Sequence, residues 1–299
     1  MNYSPIALFV YSRLTHTCQT VESLQKNSLA SQSDLIIFSD APKTEAQAEA
    51  VSQVREFIHQ VDGFKSVTIV ERKANFGLAK SIIDGVTSIV NEHGRIIVLE
   101  DDLITSPHFL AYMNASLDTY QAEEKVMHIS GYMFPIDNEN LPETFFLRTS
   151  SCWGWATWDR AWKHFSKEPK KLLKEFSGET IRRFNMDGAY NFWTQVKQNE
   201  NGLISTWAVF WYASVFQENG LCLHPAFSMV NNIGHDDTGE NCRKGDDFST
   251  TLASNSIKYF EKDISESALA HARTKAFFLA IRPSFFYRVF ASIRRRLTF

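Results

Sequence analysis

Three consecutive carboxylates, Glu100, Asp101 and Asp102, directly follow the apolar run 95–99. That run is rich in β-branched and aliphatic residues, which predicts a strand buried on both faces, and open α/β sheets bind ligands at the carboxyl ends of such strands. Crowded carboxylates repel one another and are costly to desolvate, so a divalent cation would stabilise them. Because carboxylate oxygens are hard ligands, we predict Mn²⁺ or Mg²⁺ bound together with substrate phosphates. The alternative is a solvated acidic turn ahead of a helix that starts near Ser106.

Residues that follow two other predicted strands could bind the rest of a nucleotide. Gly77 permits close backbone approach at a helix N-terminus, where free N–H groups attract an anion, and Asn75 and Lys80 lie beside it. Asp40 could bind a ribose hydroxyl or form an Asx turn. Neither GxGxxG after the first strand nor GxxxxGK[ST] is present, which argues against a nicotinamide or flavin enzyme and against a P-loop.

The densest aromatic patch contains Trp153, Gly154 and Trp155. Indole faces stack on the apolar side of sugar rings and their N–H groups donate to hydroxyls, so this turn is a predicted acceptor or sugar site. Trp158 and Trp162, four residues apart on a predicted helix, are expected in the core instead.

A polar, turn-prone loop at 234–241 lies between two glycines and could close over a metal-bound donor. Within it, His235 could ligate the metal or contact a phosphate, or serve only in packing.

Predicted strands and helices alternate over the first 130 residues, which predicts a parallel sheet covered on both faces. After that point the alternation stops and loops and helices dominate. The predicted strands are 6–11, 34–39, 66–71, 95–99, 126–129 and 145–148, and the predicted helices are 15–27, 43–60, 77–90, 106–120, 156–165, 179–185, 189–199 and 206–219.

The composition of the 299 residues is that of a globular protein, 44% hydrophobic and 22% charged. A net charge of −3 gives no indication of nucleic-acid binding. The four cysteines form no CxxC pair, which argues against zinc and favours reduced thiols in the cytoplasm. We find no signal peptide and no apolar run long enough to span a membrane.

The last part of the chain, 266–299, interleaves arginines and lysine with large apolar residues and has no acid after Glu266. This pattern predicts an interfacial helix on an anionic membrane, at the inner face of the cell membrane. The alternative is a C-terminal helix packed on the domain with an exposed basic end.

Four segments together resemble metal-dependent glycosyltransferases of the GT-A fold, and in particular bacterial sugar transferases similar to the N-acetylglucosaminyltransferase I type. The segments are 5–13, 75–85, 97–112 and 152–162. The resemblance implies an α/β, Rossmann-like nucleotide-sugar-binding sheet and an irregular, helix-rich acceptor half of the same fold. We expect the donor half at 1–130, the acceptor and catalytic half at 131–265 and the membrane-associating tail at 266–299.

In such enzymes an acidic triplet acts as the DxD motif. The resemblance implies that Asp102 holds Mn²⁺ or Mg²⁺, that Asp101 lies near the ribose and Glu100 near the donor sugar, and that Arg13 belongs to the donor site. An inverting enzyme also needs a base.

The base is where this chain departs from the family pattern. The related family member has a carboxylate between two tryptophans, but the segment 207–211 begins and ends with Trp and contains no acid. Asp236 and Asp237 of the late loop are the predicted substitutes, with Asp236 preferred, and Asp187 is a further candidate.

We therefore expect a transferase that uses a UDP-hexose or UDP-N-acetylhexosamine and a lipid-linked or surface polysaccharide acceptor. One alternative is a sugar nucleotidyltransferase, although the expected glycine-rich loop after the first strand is absent from 12–15. Another is a glycan-binding protein of the same fold that has lost catalysis.

Overall fold

The structure is a computed structural model and describes residues 3–236 and 247–282. Its strands are β1 Ile6–Val10, β2 Asp34–Ser39, β3 Ser66–Glu71, β4 Arg95–Glu100, β5 Leu103–Thr105, β6 Val126–Ser130, β7 Thr144–Leu147, β8 Trp155–Trp158, β9 Leu221–Pro225 and β10 Val230–Asn232. Its helices are α1 Leu14–Gln25, α2 Ala48–Ile58, α3 Leu78–His93, α4 Phe109–Thr119, α5 Asp159–Trp162, α6 Pro169–Glu175, α7 Gly178–Phe184, α8 Trp193–Glu200, α9 Ala208–Gln217 and α10 Ala268–Ala280.

Eight of the strands form one mixed sheet in the order β3-β2-β1-β4-β8-β6-β9-β7. β3, β2, β1 and β4 are parallel, so their carboxyl ends meet at one edge of the sheet. β8 runs antiparallel to β4 and joins this half to β6 and β9, while β5 and β10 pair separately. The predicted α/β fold, with a parallel first half of the sheet followed by an irregular half, is confirmed.

Period-two alternation within β1 explains why both faces of the sheet are covered. Ile6 and Leu8 face one core cluster, which includes residues of α1, α2 and α4. Ala7 and Phe9 face the other, which includes residues of α3, α5 and α9. Because every residue of β1 is buried, the strand lies at the centre of the molecule and its carboxyl end is held rigidly.

The helix predicted over 156–165 is wrong in its first part, because Trp155–Trp158 forms β8 and α5 covers only Asp159–Trp162. The spacing of Trp158 and Trp162 is helical, but both side chains reach the core from different elements. β8 lies between β4 and β6, where backbone pairing on both sides outweighs the local pattern. The short strands β5, β9 and β10 were not predicted either.

The described part of the C-terminal segment is a helix packed on the fold. In α10, Ala270 and Thr274 are fully buried, and Phe278 joins a cluster with Met186 and Ala189. For Ala268–Ala280 the structure therefore shows the packed alternative, and the arginine-rich remainder, 283–299, lies outside the described residues. Within 3–236 and 247–282 no helix is both long and apolar enough to cross a membrane.

Candidate functional site

A cleft of about 1110 Å³ opens at the carboxyl ends of β1 to β4. The polar residues that the sequence analysis assigned to a donor site all line it, although they come from four separate places in the chain. They are Arg13, Asp40, Asn75, Gly77, Lys80, Glu100 and Asp101, together with the predicted metal ligand Asp102. The parallel topology brings these residues together because each follows a strand of the same edge.

Asp40 shapes the loop that leads into α3. Its buried carboxylate accepts hydrogen bonds from the backbone N–H groups of Phe76 at 2.9 Å and Gly77 at 2.8 Å, and from Asn75 Nδ2 at 3.2 Å. Gly77 has φ +72°, a conformation that favours glycine. Asp40 thus fixes the α3 N-terminus in the cleft wall, and the ribose contact predicted for it remains a prediction.

The acidic triplet is crowded and poorly hydrated. Desolvation, followed by the charges of Asp102 and Asp101, raises the pKa of Glu100 to about 8. Desolvation also raises the pKa of Asp101 to about 6, although the charge of Arg13 opposes this. Arg13 Nη2 lies 2.5 Å from Asp101 Oδ1 and 2.8 Å from Asp102 Oδ2. The site therefore favours a cation, and one guanidinium contacts both aspartates.

The chemistry of these carboxylates fits a hard divalent cation, since buried, mutually repelling oxygen ligands are stabilised by one. Across 3–236 and 247–282, however, no cluster of three His, Cys, Asp or Glu side chains is arranged to hold a metal. Mn²⁺ or Mg²⁺ held by Asp102, the predicted ligand, would thus complete its coordination largely with water and substrate oxygens, as Mg²⁺ commonly does.

His235 is not gathered with the aspartates. Its ring centroid lies 5.3 Å from that of Trp153 in an edge-on contact, and it stacks on Phe248 at 6.0 Å. Its predicted role as a metal ligand stays a prediction, and the described ring contacts place it beside Trp153 and Phe248.

The start of the late loop does reach the triplet. Ile233 N donates to Asp102 O at 2.9 Å, and a Cβ on Gly234 would lie 2.2 Å from Asp102 Oδ2. Two residues on, Asp236 Oδ2 lies 3.2 Å from His16 Nε2 of α1. The predicted base Asp236 therefore lies two residues after Gly234, which packs against Asp102. Asp237 lies outside the described residues.

Asp187 belongs to a different cluster and is not part of the cleft. It lies 2.8 Å from His271 Nε2 and 3.2 Å from Arg148 Nη2, with Glu266 on the far side of both. Hydrogen bonding to Glu266, partly offset by desolvation, raises the pKa of His271. Asp187 therefore anchors α10 to the loop after β7, which disfavours it as the catalytic base.

The predicted aromatic acceptor site is corrected in two of its three residues. Trp155 is completely buried. Its ring stacks on that of Trp207 in the core, with 5.3 Å between the ring centroids. Gly154 is also buried, and a Cβ there would lie 2.7 Å from Val230 Cγ1, so close packing explains this glycine. Only Trp153 is partly exposed, with its ring against Tyr132, which leaves it as the remaining aromatic candidate.

Several polar residues that line the cleft were missed by the sequence analysis, among them Tyr11, Lys43, Gln47, Lys167 and Ser205. Tyr11 Oη donates to Gln47 Oε1 at 2.8 Å and accepts from Lys43 N at 2.9 Å, and its position directly after β1 could have indicated it. Lys167 Nζ donates to Ser205 Oγ at 3.1 Å, and desolvation lowers the pKa of Lys167. Lys167 and Ser205 lie in the loops before α6 and α9, which follow none of the strands of the first half, so no local pattern indicated them.

No protein-family model matches the chain, and no curated protein matches it. Among solved structures it is similar to Staphylococcus aureus TarS, with 14% identity over 42% of this chain and 21% of that one, at a TM-score of 0.30. It is also similar to the structure of S. aureus TarS 1-349, with 10% identity over 76% of this chain and 59% of that one, at a TM-score of 0.43. This chain therefore spans less than two thirds of either TarS structure.

It is also similar to the mannosyltransferase PcManGT from Pyrobaculum calidifontis, solved in complex with GDP-Man and Mn²⁺. The identity is 11% over 73% of this chain and 70% of that one, at a TM-score of 0.37. At these values the likenesses concern the fold, and they do not bear on the resemblance to the N-acetylglucosaminyltransferase I type. The chain's own sheet, a parallel half with a polar cleft at its carboxyl edge joined to an irregular half, gives it the α/β fold expected of the GT-A class.

Proposed function

We propose that this protein is a metal-dependent glycosyltransferase that binds a nucleotide sugar, UDP-linked, and transfers a hexosyl or N-acetylhexosaminyl group. The observation that supports this most is the convergence of residues from four strand ends on one cleft. A nucleotide diphosphate needs a cation, hydrogen-bond donors and a wall for the ribose and base. The carboxylates, the α3 N-terminus with Lys80, and the region of Tyr11 and Asp40 provide these in one continuous space.

In this proposal Asp101 and Asp102 hold Mn²⁺ or Mg²⁺, which when bound would neutralise the departing diphosphate. The N-terminus of α3 and Lys80, which also line the cleft, add positive potential. Lys80 Nζ lies 4.2 Å from the ring centroid of Phe76, which holds this flexible side chain at the loop that Asp40 organises.

The acceptor would approach from the side of Trp153 and the late loop. Asp236 is the proposed base: its carboxylate takes the proton of the acceptor hydroxyl while that oxygen bonds to the anomeric carbon and the bond to the diphosphate breaks, with inversion. His16, 3.2 Å from Asp236 Oδ2, would orient the carboxylate. The buried Trp207 and Trp211 are not among the residues that line the cleft, and the segment between them supplies no acid.

A calorimetric titration of UDP into the protein, with and without Mn²⁺, tests the donor site. We expect binding with a Kd on the order of micromolar that requires the metal. GDP is the informative second nucleotide because PcManGT holds GDP-Man, and screening of the matching sugar nucleotides for hydrolysis or transfer would follow. If no nucleoside diphosphate binds with Mn²⁺ present, the proposed function is wrong.

We further propose a lipid-linked or surface polysaccharide acceptor, with the protein peripheral on an anionic membrane. The support is the composition of 283–299, which has Arg288, Arg294, Arg295 and Arg296 among aromatic and aliphatic residues and no acid. A chain truncated after Arg282 should lose co-flotation with phosphatidylglycerol-containing vesicles that the full chain shows. Equal flotation of both chains would contradict the role of 283–299 in membrane binding, and flotation of neither would contradict the membrane role itself. Both outcomes would leave the donor site untouched.

A further inference from the structure

Arg13 occupies the position from which a cation would contact both aspartates. A single nitrogen, Nη2, donates to Asp101 Oδ1 and to Asp102 Oδ2. Only about a fifth of the Arg13 side chain is exposed (19%), and those of Asp101 and Asp102 are exposed by 7% and 10%. Charge-assisted hydrogen bonds of this kind are strong when they are shielded from water. The protein thus carries an internal cation on Asp101 and Asp102, the metal ligands of the proposed function.

The other terminal nitrogen of the Arg13 guanidinium, Nη1, contacts neither aspartate through a hydrogen bond. Nη1 is buried and has no hydrogen-bond partner in the described part of the chain. It lies 3.1 Å from the place that a Cβ on Gly234 would occupy, so the glycine leaves room beside it. A buried donor without an acceptor is unfavourable, and an incoming oxygen atom would relieve that cost.

A divalent cation and the Arg13 guanidinium cannot contact the same two oxygens together. Mg²⁺ binds carboxylate oxygens at about 2.0–2.1 Å, inside the space that Nη2 now takes, and two adjacent cations in a poorly hydrated site repel. A diphosphate changes this balance, because it offers Arg13 a bidentate partner and supplies the metal with oxygen ligands that the described residues lack.

We propose that Arg13 is an exchangeable internal cation that occupies Asp101 and Asp102 until a nucleotide diphosphate binds, and then moves to the phosphate oxygens. The inference rests on the proposed function and adds an order to it. Metal and nucleotide bind as a pair, and metal alone binds poorly. Arg13 would thereby be a positioning residue for the metal as well as a donor ligand.

The test is the affinity of the protein for Mn²⁺ in the absence of nucleotide. It is measured by titration, with the electron paramagnetic resonance signal of free Mn²⁺ as the readout. Wild-type protein should bind Mn²⁺ weakly without nucleotide and at least about tenfold more tightly with saturating UDP, since coupling of this size is typical of linked sites. Arg13→Gln should bind Mn²⁺ alone at least about tenfold more tightly than wild type, and UDP should then enhance it much less. Arg13→Lys, which keeps a cation, should resemble wild type.

Arg182→Gln is the matched control, because Arg182 is an exposed arginine paired with Glu179 outside the cleft. It should behave as wild type, and circular dichroism should show that all variants are folded. If Arg13→Gln binds Mn²⁺ alone no better than wild type while UDP still enhances wild-type binding, the exchange is refuted and the proposed function stands. If no protein binds Mn²⁺ with or without UDP, both are refuted.

Discussion

Asp102→Asn should lower kcat/KM for sugar transfer by about 10³-fold, the loss expected when several kcal/mol of charge stabilisation on a leaving diphosphate disappears. Asparagine keeps the shape of the side chain and can still accept from Arg13 Nη2, so the change removes charge rather than packing. Initial rates with the sugar nucleotide identified by screening, at several Mn²⁺ concentrations, measure the effect. Excess Mn²⁺ should not restore the rate.

The same variant should change stability little, because two effects oppose each other. Removing the charge of Asp102 relieves repulsion with Glu100, whose pKa that charge helps to raise, but it also weakens the hydrogen bond from Arg13 Nη2. Asp62→Asn, at an exposed turn outside the cleft, is the matched control and should change neither rate nor stability. A tenfold or smaller loss of activity in Asp102→Asn would mean that the aspartate is not a metal ligand in the reaction.

Much of the donor site could be predicted from sequence because the topology of a parallel sheet determines where its strands end. Residues that follow consecutive parallel strands meet at one edge, so Asp40 and Asp101 could be assigned to one site once β2 and β4 were recognised. Their strands are continuous apolar runs with few alternatives, and the bounds predicted for β2 and β3 are those observed.

The second half was harder because its contacts are non-local. Trp155 looked like a surface stacking residue, but pairing of β8 with both β4 and β6 buries it completely. Lys167 and Ser205 enter the cleft from loops that precede α6 and α9, and no local pattern predicts that path. Gly234 could be named as a turn residue, but its contact with Asp102 depends on the pairing of β10 with β5.

Trp211→Ala should have the largest effect on stability, about 4 kcal/mol or more in the free energy of unfolding. The side chain is fully buried, with its ring 5.0 Å from that of Trp162 and 6.1 Å from that of Trp155, so truncation leaves a large cavity. It also removes the hydrogen bond from Trp211 Nε1 to His128 Nδ1, which measures 3.0 Å. Urea denaturation followed by circular dichroism gives the free energy.

Trp211→Phe separates the two contributions, because it fills most of the cavity but leaves His128 Nδ1 without a donor. We expect it to cost about 2 kcal/mol. Leu203→Ala, which truncates a 70% exposed side chain, should change stability by less than about 0.5 kcal/mol and serves as the control. Equal losses in Trp211→Phe and Trp211→Ala would show that the hydrogen bond, rather than packing, carries the effect.

The hydrogen bond to His128 also connects this core tryptophan to the segment that carries Trp153. Burial lowers the pKa of His128 to about 3, so the ring is neutral, and acceptance at Nδ1 leaves the proton on Nε2. Nε2 then donates to Ser151 O at 2.9 Å, two residues before Trp153. Trp211→Ala should therefore loosen the segment that carries Trp153 at temperatures well below global unfolding, and hydrogen exchange at 151–154 should accelerate more than exchange in β1. If the proposed acceptor site at Trp153 is right, the same variant should also weaken acceptor binding while leaving UDP binding unchanged.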